Sequence, residues 1–338
     1  MAKTERNYLA DNCKMLLIVL VVFGHLLTAT GARADSDAWL SVYLVVYSFH
    51  MPAFMFLSGL FAKSDANSTG KAVINLTTLY IVMTLLVAGA DYIAYGEFDF
   101  NLLVPVYSAW YLLALLMMRA VLPALDNIRG IIVILVIISI IAPVSGKLGE
   151  FLSLARFVYF LPFFMLGFKC GIGGIGKIRE IVRGHWKWVV LIAYICCMIA
   201  ILYCVQHGYI DYKFLKGRHS YASLGVDIVF VGMLMRLLAI GTACLAIVVL
   251  LVFMPEKKNV LTYIGTNSLS VYILQAAIMR LFPEISGVDP FVLGFASLFI
   301  ALPLSAILAA RPLTDALKYP ADLAVKYLWL KADAPQKR

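Results

Sequence analysis

The chain has 338 residues, of which 63% are hydrophobic and 14% charged, with 28 Lys and Arg against 19 Asp and Glu for a formal net charge of +9. A soluble domain is about 45–50% apolar and about 25% charged, so a globule surrounded by water is excluded: this chain has too little polar surface to cover itself. The basic excess does not call for nucleic acid, because basic loops on so apolar a chain serve orientation in a membrane first. The six cysteines fall mostly within apolar runs without metal-ligand spacing and read as small core side chains. The first apolar run lacks a following small-residue cleavage site, so no cleavable signal peptide is expected.

A membrane-spanning helix needs about 20 apolar residues, and the candidates lie at 14–30, 38–61, 73–93, 102–122, 130–144, 152–170, 187–206, 221–254, 260–282 and 291–310. The expected class is all-α: a polytopic transmembrane bundle of about ten spans. The first span carries a polar stripe. At 100° per residue, Asp11, Lys14 and His25 fall within about 60° of one another, with Ile18 and Val22 in the same seam. The second span sets Tyr43, Tyr47 and His50 on one face and then meets Pro52, which removes a helix donor. His25 lies eleven residues past Lys14 and His50 thirteen before Lys63, about 16 and 20 Å along their axes. Because the two spans run in opposite directions, both histidines arrive at similar depth.

Trp110 and Tyr111 follow Pro105 near the outer start of the fourth span, where an aromatic belt is the ordinary explanation. The fifth span is short. Arg156, near the outer end of the sixth, either snorkels to the interface or meets a carboxylate or sugar hydroxyls from outside. CGIGGIG at 170–176 suits a turn before the basic segment that follows. The eighth stretch, at 34 residues, would reach about 51 Å. It is a broken helix, one span with an interfacial extension, or two short spans meeting at Arg236. In the ninth, Thr266, Asn267 and Ser268 are expected to cap the helix, and Gln275 is a buried amide.

Loop charges orient the bundle. With Lys3, Arg6 and Lys14 cytoplasmic, Lys63 with Lys71, Arg119 with Arg129, and the 169–187 basic stretch all fall inside. Asp35, Asp37, Asp91, Glu97, Asp99, Glu284 and Asp289 fall outside, and both termini are cytoplasmic if 221–254 crosses once. Lys213, Lys216, Arg218 and His219 break the pattern by facing outward, which marks an exterior binding feature or a misplaced boundary. One integral-membrane domain is expected over 1–338, with 311–338 a cytoplasmic tail.

An ionisable group at mid-membrane is costly and points to function by default. A single buried histidine often does no more than tie two helices together. Two at matched depth, one at the end of a charged stripe, argue for chemistry.

These residues fall into motifs. RNYLADNCKMLLIVLVVFGH resembles the first helix of the membrane acyltransferase-3 family, especially its fucose 4-O-acetylase-like branch, which shows an acidic residue, Asn, then Arg or Lys, and a histidine eleven residues on; here these are Asp11, Asn12, Lys14 and His25. SFHMPAFMFLSGLF resembles the second-helix motif, with His50, Pro52, Ser58 and Gly59 in place. SAWYLLALL and RFVYFLPFFMLG are similar to the fourth- and sixth-helix motifs, and GTNSLSVYILQ to the closing one, although family members often place His where this chain has Gln275. The resemblance covers residues 6 to about 280.

It implies transfer of an acyl group, usually acetyl, from cytoplasmic acyl-CoA to a hydroxyl of a sugar, glycan or lipid-linked saccharide in the cell (inner) membrane. No permanently bound cofactor or metal is implied, and the partners are the donor, the acceptor and membrane lipids. His, with a pKa near 6.5, suits the removal of a hydroxyl proton at neutral pH. The expected roles are His25 as general base, His50 as a second site residue and Asp11 as support for the inner half. Lys14, Lys63 and Lys71 would hold CoA phosphates as point charges, although each also serves as an orientation signal. Tyr47, Trp110, Tyr111, Arg156, Asn267 and Gln275 would bind substrate. One rival is succinyl transfer to a periplasmic glucan. The other is a proton-coupled transporter or flippase, which would often show paired broken helices from an internal repeat; none is evident.

Overall fold

The computed structural model describes residues 6–282, 285 and 287–329. Lys3, Glu284 and the chain beyond 329 lie outside the described residues. Every regular element among them is a helix: α1 (Tyr8–Ala29), α2 (Asp37–Leu60), α3 (Ala66–Tyr95), α4 (Trp110–Asp126), α5 (Ile131–Ile141), α6 (Leu154–Ile181), α7 (Trp186–Gln206), α8 (Val229–Phe253), α9 (Thr262–Thr266), α10 (Ser268–Arg280), α11 (Pro290–Leu308) and α12 (Arg311–Leu328). Seven of these, α1, α2, α3, α6, α7, α8 and α11, are long and apolar enough to cross a membrane. The bundle is inverted relative to a soluble protein. Val133, Ile199 and Phe299 are 64%, 60% and 75% exposed on outward faces, while His50, Arg236 and Gln275 are buried. Lipid is the solvent that accepts such a surface.

Several expected elements differ in detail. The fourth helix starts only at Trp110, because Pro105 cannot donate and restrains the residue before it. Tyr107 adopts φ +53° in that irregular lead-in, an uncommon and costly geometry for a residue with a Cβ. The 221–254 stretch resolves into a 3-10 turn at Ala222–Leu224, closed by left-handed Gly225, and one unbroken 25-residue α8 that runs through Arg236. A meeting of two short spans at Arg236 is therefore not what this segment forms. The 260–282 stretch breaks instead, at Asn267, into α9 and α10. In α6 the helix kinks at Gly171 (φ +59°, ψ 174°) and continues as a helical arm to Ile181. Arg179 on that arm donates to the carbonyls of Leu251 and Met254 at 2.6 and 3.0 Å, closing the C-terminus of α8. Residues 311–328 form no loose tail: α12 packs its Thr314, Leu317 and Ala321 face inward, chiefly against α3.

Small residues set the contacts that build the interior. A Cβ on Gly59 would sit 1.9 Å from the Phe164 carbonyl oxygen, and one on Gly167 1.9 Å from that of Phe56. At this reciprocal pair α2 and α6 touch backbone to backbone. Gly265 likewise lets α9 meet the Asp11 carbonyl of α1. Asn12, wholly buried, completes that junction. Its amide donates to the carbonyls of Pro255 and Lys257 at 2.9 and 3.0 Å, and its oxygen accepts from Thr262 Oγ1 at 2.7 Å. The motif residue Asn12 thus clamps the segment entering α9 onto α1.

Candidate active site

α1, α2, α4, α6 and the 212–216 turn enclose a cavity of about 170 Å3 lined by both histidines. A single water needs a cavity of about 10–15 Å3 and takes about 30 Å3 in the liquid, so the chamber admits several water-sized groups. His25 Nδ1 lies 2.8 Å from Gln275 Oε1, and Gln275 Nε2 donates to the Tyr272 carbonyl at 3.2 Å. A carbonyl only accepts, so the amide orientation is settled: its oxygen faces His25, and Nδ1 must carry the proton. Nε2 is left with a free lone pair as the only ring nitrogen available to the cavity. His50 repeats the logic, because its Nδ1 lies 2.7 Å from the Val46 carbonyl. Two imidazoles thus present basic nitrogens to one chamber, each held by its far nitrogen.

The rest of the wall is aromatic and cationic. Tyr43 stacks on Tyr47 at 3.8 Å between centroids, and Tyr47 meets the His50 ring edge-on at 4.6 Å. The Arg156 guanidinium lies 4.7 Å over the Trp110 ring, which stacks on Phe160. Of the residues expected at the site, His25, His50, Tyr47, Trp110 and Arg156 all line this histidine chamber.

A second cavity, of about 160 Å3, contains Lys14, Ser58, Tyr111, Ser268 and Tyr272. Lys14 and His25 share α1 eleven residues apart, about 16 Å along the axis, so the lysine chamber lies next to the first on the side of the α1 N-terminus. Lys14 Nζ sits 4.5 Å over the Phe61 ring, and the Ser58 and Tyr111 hydroxyls are 2.9 Å apart. Met51 lines both cavities. The Tyr272 hydroxyl of the lysine chamber also donates to the carbonyl of Ser108, a residue of the histidine chamber. The two chambers are therefore stacked along α1 and α2 behind a thin wall whose movable part is one unbranched thioether.

Other expected site residues sit elsewhere. Asp11 lines neither chamber: it accepts from Arg6 Nε at 2.7 Å, while Arg6 Nη2 donates to Thr266 Oγ1 at 2.6 Å. It lies fourteen residues from His25, about 21 Å along the axis, at the N-terminal end of α1 where it holds Arg6. Lys63, in the loop between α2 and α3, and Lys71, near the start of α3, are both exposed and line neither cavity. The Asn267 amide donates to the Ala309 carbonyl at 2.8 Å and makes no cap bond, so it ties the α9–α10 break to α11; it lines neither chamber but borders the cleft beside α9 and α12. Basic groups gather in a cleft beside α9 and α12, where Arg6, Lys258, Arg311 and Lys318 meet the unpartnered buried hydroxyl of Thr314.

Sequence reasoning missed Tyr107, whose ring lies 5.1 Å from that of His25, and Lys216, which lines the histidine chamber. The sequence singled out Lys216 only within a group of outward-facing loop charges that marked either an exterior binding feature or a misplaced boundary. Arg236 acts from behind the wall. Fully buried, it lies 4.5 Å from the Tyr159 ring and 5.1 Å from that of Phe214, fixing the 212–216 turn to α6. A further recess lined by Glu150, Arg218 and His219 is less suited to chemistry. Arg218 donates to Glu150 at 2.6 Å and to His219 Nε2 at 3.0 Å, so that imidazole's lone pair is occupied. Burial and the neighbouring Arg218 and Lys216 push the His219 pKa down to about 4.

The order of groups along α1 and α2, and the oriented imidazole, match an acyl-transfer apparatus. A family model described as an acyltransferase domain matches residues 7–310. The chain belongs to the acyltransferase-3 family. This acyltransferase is similar to the nodulation protein NolL of Sinorhizobium fredii, 26% identical over 298 residues that cover 82% of this chain and 79% of the relative. It is also similar to the NolL of Mesorhizobium japonicum, 23% identical over 294 residues covering 82% and 78%. No solved structure matches it at a significant level. As a member of the family it is an O-acyltransferase, built as a helical bundle with several apolar helices.

Proposed function

We propose that the protein transfers acetyl from cytoplasmic acetyl-CoA to a hydroxyl of a cell-surface or periplasmic glycan, in the manner of the fucose 4-O-acetylase-like branch, with His25 as general base. The observation that carries this reading is the Gln275–His25 bond, which leaves Nε2 as a fixed proton acceptor in a polar and aromatic cavity shared with His50. His25 Nε2 takes the acceptor's hydroxyl proton while the oxygen adds to the thioester carbonyl carbon. The C–S bond then breaks, and the imidazolium returns its proton to the departing thiolate. His50 and Tyr47 orient the acceptor.

The lysine chamber lies on the cytoplasmic side and receives the acylated arm of the donor, with Lys14 at its wall. The basic cleft of Arg6, Lys258, Arg311 and Lys318 is better placed than Lys63 and Lys71 for the donor's phosphates, because Arg6 also bonds Thr266, two residues from Ser268 of that chamber. The α4, α5 and α9–α10 segments complete about ten crossings with both termini cytoplasmic.

The test is turnover of His25→Gln, which keeps a hydrogen-bonding group but accepts no proton at neutral pH. Release of CoA thiol per mole of monodisperse protein should fall by about 10²–10⁴-fold. Near wild-type turnover removes His25 from the mechanism. Parallel assays with succinyl-CoA decide the donor.

A further inference from the structure

The histidine chamber has a charge balance that a neutral sugar does not explain. No Asp or Glu lines it, yet Arg156 and Lys216 both do. Neither forms a hydrogen bond or ion pair among the described residues. The nearby acids are already taken: Glu150 by Arg218 at 2.6 Å, and Asp211 by Lys213 at 3.5 Å. Arg33 adds a third cation behind the wall, its guanidinium between the Tyr43 and Tyr212 rings at 4.7 and 5.2 Å, with Nε and Nη1 unpartnered. Burial, with Arg33, Arg218, Arg156 and Lys213 around it, lowers the Lys216 pKa to about 8. Secluded cations are expensive unless an anion compensates them.

A neutral glycan needs acceptors for its hydroxyl protons as well as donors for its oxygens. The hydroxyls of Thr28, Tyr43, Tyr47, Tyr107 and Ser108 serve either role, but Arg156 and Lys216 only donate and carry charge that a neutral sugar leaves uncompensated. The face of Arg156 is fixed by Trp110, which holds its donor edge ready for a planar or tetrahedral oxyanion.

We infer that the acceptor carries an acidic substituent, a carboxylate or a phosphate, which docks on Arg156 and Lys216 beside the hydroxyl that His25 deprotonates. The term acceptor rests on the proposed transfer reaction; the anion site itself does not. One anionic group satisfies both cations and anchors the sugar ring against Trp110 and Tyr47. Only a hydroxyl a few ångströms from that charge then reaches Nε2.

Lys216 itself reports occupancy. Purified full-length protein in lipid nanodiscs is treated at pH 8 with the acetyl ester of N-hydroxysuccinimide, and peptide mass spectrometry follows the acetylation of Lys216. Lys213, paired with Asp211 and not lining the chamber, is the internal reference. Three probes are compared at matched ionic strength: inorganic phosphate, methyl glucuronide and methyl glucoside. At least one of the two anions should slow Lys216 labelling severalfold relative to Lys213, methyl glucoside should not, and Arg156→Gln should abolish the protection. Protection by phosphate alone assigns a phosphorylated acceptor, and by glucuronide alone an acidic sugar. No protection by either anion, or equal protection by methyl glucoside, overturns the inference. If Arg156→Gln does not fold, the wild-type ratio still decides. Absence of acceptor-dependent thiol release in the wild-type protein would sink the transfer reaction while leaving Lys216 protection untouched, so the two failures are distinguishable.

Discussion

Gln275 is the most informative residue to change, because it touches the proposed base and lines neither chamber. Gln275→Leu removes the 2.8 Å contact that holds the proton on His25 Nδ1. A net hydrogen bond is worth about 0.5–1.5 kcal/mol, which at RT of about 0.59 kcal/mol is a bias of roughly 2–13 towards the tautomer with a free Nε2. Losing that bias alone lowers the competent fraction only about twofold or somewhat more. The larger loss comes from orientation, since a displacement of about 1 Å at a reacting group costs on the order of 10² in rate. Together they predict a fall in kcat of about 10–100-fold. KM for the donor should stay unchanged, because no donor-side wall is altered. Gln275→His, the residue common at this position in the family, offers an imidazole nitrogen to the same Nδ1–H and should recover most of the loss. The assay is thiol release at saturating donor, per mole of monodisperse protein, with melting temperature followed in parallel. A Gln275→Leu enzyme with kcat within about twofold of wild type would refute the reasoning that Gln275 fixes the orientation of the base.

Two further outcomes follow from the packing. Gly59→Ala places a methyl 1.9 Å from the Phe164 carbonyl oxygen and should destabilise the bundle by about 1–3 kcal/mol, read as a lower melting temperature in detergent; Ala at Gly89, where a Cβ meets nothing within 4 Å, is the control expected to melt with the wild type. Met51→Trp should close the wall between the chambers and cut transfer by about tenfold or more while donor binding holds. Met51→Ala should instead raise acceptor-independent thiol release, as water reaches the thioester.

Composition and periodicity alone determined that the chain is a bundle of apolar helices with a few polar groups inside, because a long apolar run must bury its own backbone hydrogen bonds wherever it lies in lipid. They also brought out His25, His50, Tyr47, Trp110 and Arg156. Ionisable and aromatic side chains at matched depth stand out against an apolar background. What they could not supply was partnership across the chain. Asp11 was placed at the inner end of the stripe by spacing alone, but that Arg6 bonds it and reaches on to Thr266 shows only once the chain folds. Asn267 looked like a cap, yet its amide is taken by a carbonyl 42 residues away. Lys216 was visible as one of several loop charges that meant an exterior binding feature or a misplaced boundary, because nothing local in KFLKGRH reveals that the turn folds back over two histidines. The Gln275–His25 bond joins residues 250 apart. Which ring nitrogen is free, and which cations lack a counter-ion, are decided only when distant helices meet, since both depend on partners that the local sequence does not specify.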